Sequence, residues 1–557
     1  MSFQLSPGVL VVEKDLTNVI PAVSTSAGAF VGCFQWGPVN EINTVGSEQQ
    51  LVSLFNKPNG LTAASFFTAT NFLSYSNNLK VVRVVGSAAR NAVASGSALL
   101  IQNRFVWNQN YQAGQASVGS FAAKFPGTLG NSLTVNIADS ATFSTWAYKG
   151  LFQSAPGTTA WTAARGGSND EVHIVVVDSQ GAWTGTAGTV LETFAFLSKS
   201  TDARSDNGSN INYRTAIANQ SQYVWWMKYP AGMTNWGTTA VGTTFTSLGS
   251  VDVSVLAGGI SSDDPSTASI QGGLDLFANA DAVDISLVMV GEMPLVSAAY
   301  AINNVALVRK DCLVFVSPAA TSVINVPGSE QANVIADKAT IGVDTSYAVM
   351  DSGWKYQYDK YNDTFRWVPL NGDIAGLCAR TDATNDAWWS PGGLTRGQIK
   401  GAVKLSWSPT KTQQDELYKV GINPVISMVG SGTVLWGDKT LQSKPSAFDR
   451  INVRRLFIVL EKAIAIASKY ELFEFNDAFT RAGFRAMVEP FLRDVQGRRG
   501  IYDFRVVCDE TNNTAQVIDT NSFVADIYIK PARSINFIQL NFVAVRTGVK
   551  FEEIVGA

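Results

Sequence analysis

The sequence predicts a multidomain chain of mixed α/β and α+β class, with extended arms at both ends. Three observations support this class. Apolar strand-like runs at 285–290 and 312–318 flank a helical stretch, which is the pattern of a βαβ unit in a covered parallel sheet. Residues 96–245 carry short β-like runs between clusters of Gly, Ser, Thr and Asn, which predicts a β-rich insertion. From residue 446 onward, two long amphipathic helical patterns precede an alternating strand, which is typical of an α+β domain.

Composition bounds the number of domains and the kinds of partner. The chain has 557 residues, of which 46% are hydrophobic and 16% charged, with 42 basic side chains against 45 acidic ones. At about 150 residues per domain, this length corresponds to three or four domains. The charged fraction lies well below the ~25% usual for soluble domains, so much of the surface is expected to face other protein. With a net charge of −3, the chain lacks the positive electrostatic field that would attract nucleic acid or anionic lipid. Neither partner is predicted.

The N-terminal part divides into an arm and a first α/β segment. Residues 1–22 contain the β-prone run PGVLVVEKDL, which is too short to bury itself and is expected to be a linking arm. Residues 23–95 are expected to pack with the core. This segment is predicted to hold a strand from Gly28, a helix that Ser47 caps with Gln50 three residues later, a helix over about 62–75, and a strand at 79–85.

The middle and C-terminal parts give four more predicted segments. Residues 96–245 are the insertion and residues 246–445 are the α/β core, whose two strands are joined by a helix over about 294–309. Residues 446–534 form an α+β domain, in which a second helix spans about 477–496. Residues 535–557 are a strand and a second arm, because Ile538, Leu540, Phe542 and Ala544 alternate with Gln539, Asn541 and Val543.

The first C-terminal helix has a clear apolar stripe. Leu456, Leu460, Ile464 and Ala467 recur at helical spacing. The charged residues of this stretch are expected to lie mostly clear of that stripe; they are Arg454, Arg455, Glu461, Lys462 and Lys469.

Cysteine spacing and apolar run lengths exclude several classes of protein. Cys33, Cys312, Cys378 and Cys508 form no CxxC pair, so they are expected to be reduced and mostly buried. The first residues, MSFQLSPGVLVVEKDL, include an acidic residue where a signal peptide would have its positively charged end and apolar centre. They are therefore not expected to be a secretory signal. The longest apolar runs fall far short of the ~20 residues of a membrane helix. The product is expected to stay in the cytoplasm of the cell that makes it.

The residues used for catalysis are scarce. The chain has one histidine, His173, inside a β-like run with no G-x-S-x-G context, so we interpret it as an ordinary strand side chain. The stretch at 432–440 nearly spells a phosphate-binding loop, but Asp438 would place a carboxylate where phosphate should lie. The pair Asp263–Asp264 could bind a cation, although such loop carboxylates are more often solvated. No enzyme, metal site or cofactor is predicted.

Several long strings resemble the tail sheath protein family of contractile-tailed bacteriophages. The longest are FDRINVRRLFIVLEKAI from 448, EPFLRDVQGRRGIYDFRVVCDETNN from 489, and FVADIYIKPARSINFIQLNFVAVRTGVKFEE from 523. Shorter ones are SPGVLVVEKD near the start, GCFQWGPV at 32–39, PGTLGNSL at 126–133, KYQYDKYNDTFRWVPLNGDIAGLCARTD at 355–382, and SPGGLTRGQI at 390–399. The resemblance covers most of the chain except roughly 87–120 and 135–250.

The resemblance implies a structural function. Members of the tail sheath family have a subtilisin-like α/β core without protease activity. By this resemblance, the insertion at residues 96–245 would face outward. Subunits would form hexameric rings stacked helically around the tail tube, between the baseplate and tail terminator proteins. Contraction of this sheath would drive the tube through the host envelope during genome delivery. The protein would then belong to the virion after assembly in the host cytoplasm, while a sheath of a phage-derived injection system is the alternative. On residues alone, a monomeric α/β protein also remains open.

Two sets of residues are candidates for contacts between proteins. Strands at the two termini could be exchanged between neighbours by β-augmentation, with apolar side chains supplying most of the gain. The candidates are Val9, Val11, Ile538, Leu540, Phe542, Val549 and Phe551. By the family resemblance the C-terminal domain lines the inside, and its predicted tube-facing residues are Arg493, Asp494, Arg498 and Arg499. The alternative is that these four belong to a solvated helix face and its basic end.

Overall fold

The computed structural model describes residues 23–536 and residue 539. They form two compact units, which we call the core unit (residues 23–387 and 391–465) and the C-terminal unit (residues 388–390, 466–536 and 539). The class is mixed α/β and multidomain, as predicted. Among these described residues, no helix is both long and apolar enough to cross a membrane.

The core unit begins with three strands and two helices that enter its central sheet. They are β1 (Gly28–Gly32), β2 (Ile42–Val45), α1 (Glu48–Phe55), α2 (Ala63–Leu73) and β3 (Leu79–Arg83). The chain then builds the predicted β-rich region. Its elements are α3 (Arg104–Asn110), β4 (Phe121–Ala123), β5 (Leu133–Ala138), α4 (Ala160–Ala163), β6 (Glu171–Asp178), β7 (Thr189–Ser198), α5 (Tyr213–Gln220), β8 (Val224–Trp226) and β9 (Asp252–Val255).

The chain next completes the central sheet and ends in the C-terminal unit. The remaining core elements are α6 (Thr267–Asp275), β10 (Leu287–Met289), α7 (Leu295–Tyr300), α8 (Leu307–Arg309), β11 (Leu313–Val316), α9 (Ala320–Val323), α10 (Glu330–Ile341), β12 (Ala348–Asp351), β13 (Trp354–Asp359), β14 (Thr364–Pro369), α11 (Asn371–Thr384), β15 (Lys404–Leu405), α12 (Lys411–Lys419), β16 (Ile422–Asn423), β17 (Val425–Met428) and β18 (Gly432–Leu435). The last are α13 (Ile451–Ser468), α14 (Ala478–Gly497), β19 (Ile501–Val507), α15 (Ala515–Asp519) and β20 (Asp526–Pro531).

The central sheet has seven strands in the order β16-β12-β11-β10-β1-β3-β2. All neighbours are parallel except β2 and β3. Matched register places one row of large apolar side chains across five strands; the row is Val81, Phe30, Met289, Phe315 and Val349. That row belongs to one buried cluster, whereas the alternate residues Ala29, Val288 and Val314 belong to another. The sheet is therefore covered on both faces, as its apolar strands predicted.

The β-rich region has its own apolar core. A four-stranded antiparallel sheet runs in the order β7-β6-β5-β9, and β4 pairs with β8. Trp107 and Trp225 stack with ring centroids 5.0 Å apart inside the cluster. The fully buried Arg83, at the end of β3, donates to the carbonyl oxygens of Phe34 and Pro126, at 2.8 Å each. This one side chain joins the end of the central sheet to the loop between β4 and β5 of the β-rich region.

Several local predictions are confirmed. The Ser47 hydroxyl caps α1 by accepting from the Gln50 amide at 3.3 Å. Strands β10 and β11 are parallel with Leu287 opposite Leu313, which confirms the βαβ unit. The helical stretch between them is interrupted by a π-helical segment, Ala301–Ala306. The four cysteines are free and buried. The predicted domain boundaries stay predictions, and the strand and arm predicted over residues 535–557 lie mostly outside the described residues.

The prediction for two arginines of α13 was wrong. Arg454 and Arg455 are only 6% and 3% exposed rather than clear of the packed face. Arg455 Nη2 lies 2.5 Å from Asp382 Oδ2, on α11. The Arg454 guanidinium donates to the Tyr347 hydroxyl at 3.1 Å and lies over the Phe448 ring. Both cations are buried because the face of α13 that packs against the rest of the core unit is wider than its apolar stripe.

Candidate assembly surfaces

The C-terminal unit is built on one helix and one hairpin. Helix α14 starts where the Asp477 carboxylate accepts from the Thr480 amide at 2.8 Å. Its apolar face buries Phe484, Val488 and Leu492, and the helix packs against β19. Strands β19 and β20 are antiparallel, and among the described residues each pairs only with the other. The hairpin therefore presents two edges that could accept a further strand.

The four residues predicted to face a tail tube lie together at the C-terminal end of α14. Arg493 pairs with Glu489 at 3.3 Å, and Arg498 pairs with Asp494 at 3.6 Å. The charged side chains of the two pairs are between 37% and 70% exposed, so these are surface ion pairs of small energy, ~0–1 kcal/mol each. The structure thus brings the predicted residues onto one exposed helix end, while their contact with a tube stays a prediction.

Two tryptophans support the basic end of α14. The Trp388 indole N–H donates to the Arg498 carbonyl at 3.1 Å, and the Arg498 guanidinium lies 5.2 Å from the Trp388 ring. The Arg499 guanidinium lies 5.4 Å from the Trp389 ring. Arg499 has φ 66°, in the left-handed region that commonly ends a helix. Sequence reasoning missed this support, because residues 388 and 389 are about a hundred positions away along the chain.

The apolar residues predicted to join neighbouring subunits are not described. Val9, Val11, Ile538, Leu540, Phe542, Val549 and Phe551 all lie outside residues 23–536 and 539. Their role stays a prediction from the sequence.

The C-terminal unit also shows an exposed aromatic loop that sequence reasoning missed. Between α13 and the first turn of α14, the side chains of five apolar residues are exposed; they are Tyr470, Leu472, Phe473, Phe475 and Phe479. Large exposed apolar clusters commonly mark protein contact sites. A signal was available in the run YELFEFND, in which aromatic and acidic residues alternate between two helices.

The single histidine has the environment of a structural side chain. His173 lies on β6, stacked on Phe152 with ring centroids 4.2 Å apart. Its Nδ1 accepts from the Phe196 amide at 3.0 Å, and its Nε2 lies 3.0 Å from the Ser154 carbonyl oxygen. Burial lowers the pKa of His173 from its usual value. With both ring nitrogens engaged by backbone, the prediction of an ordinary strand residue is confirmed.

In the motif that resembles a phosphate-binding loop, the Asp438 carboxylate is likewise bonded to protein side chains. Asp438 follows β18 and is buried, with Oδ1 accepting from the Tyr418 hydroxyl and the Arg450 guanidinium at 3.0 Å each. Asp263 is half-buried, and burial raises the pKa of its carboxyl group. Within the described part of the chain, no three His, Cys, Asp or Glu side chains are arranged to hold a metal ion.

A buried polar network lies at the carboxyl ends of β10, β11 and β12. Ser317 donates to Asp351, and the Asn371 backbone amide donates to the Ser317 hydroxyl at 2.9 Å. The Asn371 side chain also bonds the Gly291 backbone, accepting from its N–H at 3.0 Å and donating to its carbonyl at 2.8 Å. Burial raises the pKa of Asp351 to about 8, and the nearby Asp373 adds to the rise. The network ties three strand ends and the start of α11 together.

Comparison with known proteins assigns the family. Residues 287–441 match the family model for the phage tail sheath protein central domain, and residues 443–544 match that for the phage tail sheath C-terminal domain. The tail sheath protein of Vibrio phage KVP40 is 36% identical over an alignment 669 positions long, which covers 99% of this chain and 100% of the relative. This chain belongs to the phage tail sheath protein family. The resemblance noted from the sequence strings is confirmed.

Solved sheath structures share the fold of this family member. The sheath tail protein of Desulfitobacterium hafniense is 11% identical, with a TM-score of 0.56 over 95% of this chain and 97% of the other. The helical sheath of the anti-feeding prophage in its contracted state is 13% identical, with a TM-score of 0.51 over 97% of this chain and 99% of the other. At these identities the likeness concerns the fold alone.

Proposed function

We propose that this chain is the structural subunit of a contractile tail sheath, which polymerises as stacked hexameric rings around the phage tail tube. Contraction of the sheath drives the tube through the host envelope during genome delivery. The observation that carries the proposal is the relationship to a phage tail sheath protein over 99% of the chain. The sheath is part of the virion, is assembled in the host cytoplasm, and meets the baseplate and the tail terminator at its two ends.

In this proposal the terminal segments link neighbouring subunits. When a strand of about eight residues is added to a sheet, each hydrogen bond stabilises the complex by roughly 0.5–1.5 kcal/mol, and ordering each residue costs roughly 1–2 kcal/mol of conformational entropy. The net free energy from backbone pairing alone is therefore close to zero. Apolar side chains of the two arms must therefore supply the net gain, at roughly 1.5–3 kcal/mol each when buried. The open edges of β19 and β20 are suitable acceptors. The proposed arm contacts are Val9, Val11, Ile538, Leu540, Phe542, Val549 and Phe551.

The exposed end of α14 is the proposed contact with the tail tube. Arg493, Asp494, Arg498 and Arg499 carry both signs of charge on one helix end, and the tryptophans beneath hold the last two in position. Because exposed ion pairs are worth little each, such contacts can recur along a tube and separate during contraction.

The core unit is proposed as a scaffold of subtilisin-like topology without protease activity. Its buried carboxylates and its histidine bond to protein groups, which supports a structural role. Contraction then draws on free energy stored when the extended lattice assembles, as each ring changes between two packings of the same subunits. No nucleotide or cofactor takes part in this scheme.

A sheath of a phage-derived injection system is the alternative, favoured by the fold shared with the anti-feeding prophage sheath. Electron microscopy of the particles produced by the source organism separates the two. Sheathed tails attached to capsids support the virion, and sheathed tubes without capsids support the injection system.

The test of polymerisation uses the full chain expressed alone. Heterologous contacts that do not close produce helical polymers, so we expect hollow cylinders by negative-stain microscopy without added nucleotide. Monodisperse monomers at high concentration under several salt conditions would contradict the proposal.

A further inference from the structure

Charges of one sign are concentrated in two stretches of the core unit. Residues 229–308 contain seven acidic side chains and no basic one, and residues 391–414 contain four basic side chains and no acidic one. The acidic ones are Asp252, Asp263, Asp264, Asp275, Asp281, Asp284 and Glu292, and the basic ones are Arg396, Lys400, Lys404 and Lys411. Each stretch gives its part of the surface a charge of one sign, unless side chains from elsewhere in the chain neutralise it.

Part of the basic stretch forms an exposed patch, which we call the basic face and define as Lys400, Val403 and Lys404. The Lys400 ammonium lies 4.6 Å from the Tyr75 ring, and the Lys404 ammonium lies 4.9 Å from the Tyr356 ring. Within the described residues, neither lysine has a carboxylate partner. Val403 between them is 62% exposed. The basic face therefore combines two cations that lack counter-charges with exposed apolar area.

Part of the acidic stretch forms a second exposed patch, the acidic face, which comprises Asp275, Leu276, Ala280 and Asp281. Its backbone is fixed, because the Arg309 guanidinium donates to the carbonyl oxygens of residues 277 and 279, at 2.8 and 3.0 Å. That guanidinium also pairs with Asp311, so its own charge is already balanced. Asp275 accepts a 2.7 Å bond from the Tyr300 hydroxyl, which leaves its negative charge in place.

The two faces lie on opposite sides of the central sheet. Ile399 and Leu405, which flank the basic face, pack in the apolar cluster that contains Phe30. Leu274, which precedes the acidic face, belongs to the cluster that contains Val288. Because the sheet separates these two clusters, the faces cannot meet within one core unit. They can meet between two copies.

We propose that the basic face of one subunit docks against the acidic face of a neighbouring copy. The proposal rests on the proposed sheath function, since it names a contact between core units in the polymer. Opposite charges fix the register of such a contact, and the exposed apolar side chains add buried area. Because the two faces are different surfaces on opposite sides of the subunit, the contact is heterologous and repeats from copy to copy, as a helical polymer requires.

Charge reversal tests the pairing in the full-length chain. We expect Lys400→Glu with Lys404→Glu to raise the concentration needed for polymer formation on the order of tenfold. Asp275→Lys with Asp281→Lys should do the same from the other side of the contact. The chain that carries all four changes should return toward wild-type polymerisation, as measured by sedimentation.

The matched control is Lys149→Glu with Arg204→Glu, the same charge change at exposed positions of the β-rich region, which should leave polymerisation unchanged. Thermal unfolding checks that each variant is folded. Lys400 also donates to the Ser74 carbonyl oxygen at 2.6 Å, so its replacement could affect the fold. Lys404→Glu alone, combined with Asp275→Lys alone, then provides the same reversal and rescue.

Cross-linking tests whether the contact joins two copies. Chains with Val403→Cys are mixed with chains with Ala280→Cys, and oxidation of the polymer should give a disulfide-linked dimer that neither variant gives by itself. The four native cysteines are buried, so they contribute little background. Val241→Cys, at a 69% exposed position of the β-rich region, is the control and should give no dimer with Ala280→Cys.

The outcomes separate the inference from the sheath function. Folded charge-reversed chains that polymerise like the wild type, or a fourfold variant without recovery, would overturn the contact while leaving the sheath function intact. Absence of the dimer between Val403→Cys and Ala280→Cys chains in a polymer that forms normally would also overturn it. Failure of the wild type itself to polymerise would count against the sheath function instead.

Discussion

The Ser317 hydroxyl donates a 2.6 Å hydrogen bond to Asp351 Oδ2 at the carboxyl end of the central sheet, and both residues are buried. The Gly353 amide donates to the other carboxylate oxygen at 3.0 Å. Despite these bonds, burial holds the pKa of Asp351 at about 8. A buried carboxyl group of this kind makes stability depend on pH.

Replacing Asp351 with Asn should flatten the pH dependence of unfolding. Because the folded pKa is raised to about 8 from an unfolded value of about 4, the folded state binds the extra proton between these values. The stability contributed by Asp351 is complete below pH ~4 and is lost as the pH rises through ~8, with a slope of up to about 1.4 kcal/mol per pH unit. Urea unfolding at pH 5, 6.5 and 8 measures this slope.

The slope, not the absolute stability, decides this prediction, because Asp351→Asn also alters the bond to Ser317. Asp206→Asn, at an exposed position, is the control and should keep the wild-type slope. An Asp351→Asn variant with an unchanged slope would refute the assignment.

Breaking the ion pair between Arg455 and Asp382 should strongly destabilise the core unit. Both side chains are more than nine-tenths buried, so Arg455→Met leaves an unpaired buried carboxylate and should cost about 3–5 kcal/mol. Arg455→Met with Asp382→Leu should regain part of that loss. Lys411→Met removes an exposed pair with Asp415 and should cost at most about 1 kcal/mol. Equal effects of Arg455→Met and Lys411→Met in denaturant unfolding would show that burial does not govern the pair.

Reversing the charges at the end of α14 should weaken binding to the tube and leave the fold intact. Arg498→Glu with Arg499→Glu acts at an exposed helix end, where single pairs are worth about 0–1 kcal/mol, so the unfolding temperature should change little. Summed over many subunits, the lost contacts should reduce co-assembly with purified tubes in a sedimentation assay. Unchanged assembly on tubes would exclude these residues from the contact.

Removing either terminal arm should leave a folded subunit that cannot build a stable sheath. Deletion of residues 1–16 or 547–557 removes short terminal segments, from which folding should lose little. A loss of even ~3 kcal/mol per contact lowers each association constant more than about a hundredfold, so cylinders should disappear in negative stain. Thermal unfolding is the companion measurement. Normal cylinders would exclude the linking role, and a large fall in unfolding temperature would show that the arm belongs to the subunit's own core.

Local and periodic features of the fold were predictable from the sequence. The Ser47 cap depends on residues three positions apart, and the parallel pairing of β10 and β11 follows from two apolar runs around a helix. The four charged residues at the end of α14 were likewise predicted to lie together, since they share one helix end. Such features need only short-range spacing.

Features that depend on distant packing were not predictable. Arg455 was expected to lie clear of the apolar stripe of its helix, but it is buried against Asp382, which is 73 positions away on another helix. Asp351 and Asn371 both bond the Ser317 hydroxyl, which they reach only because the ends of parallel strands converge at one edge of the sheet. The aromatic loop was missed for a further reason, because its apolar residues would ordinarily indicate burial within the subunit.

Helical reconstruction of the full-length polymer by electron cryomicroscopy tests the central claim most directly. The account predicts rings of six subunits stacked around an open channel, with the β19–β20 hairpin of each subunit extended by terminal strands of its neighbours and the end of α14 facing the channel. A polymer in which the hairpin gains no strand from another copy, or in which α14 faces outward, would contradict it.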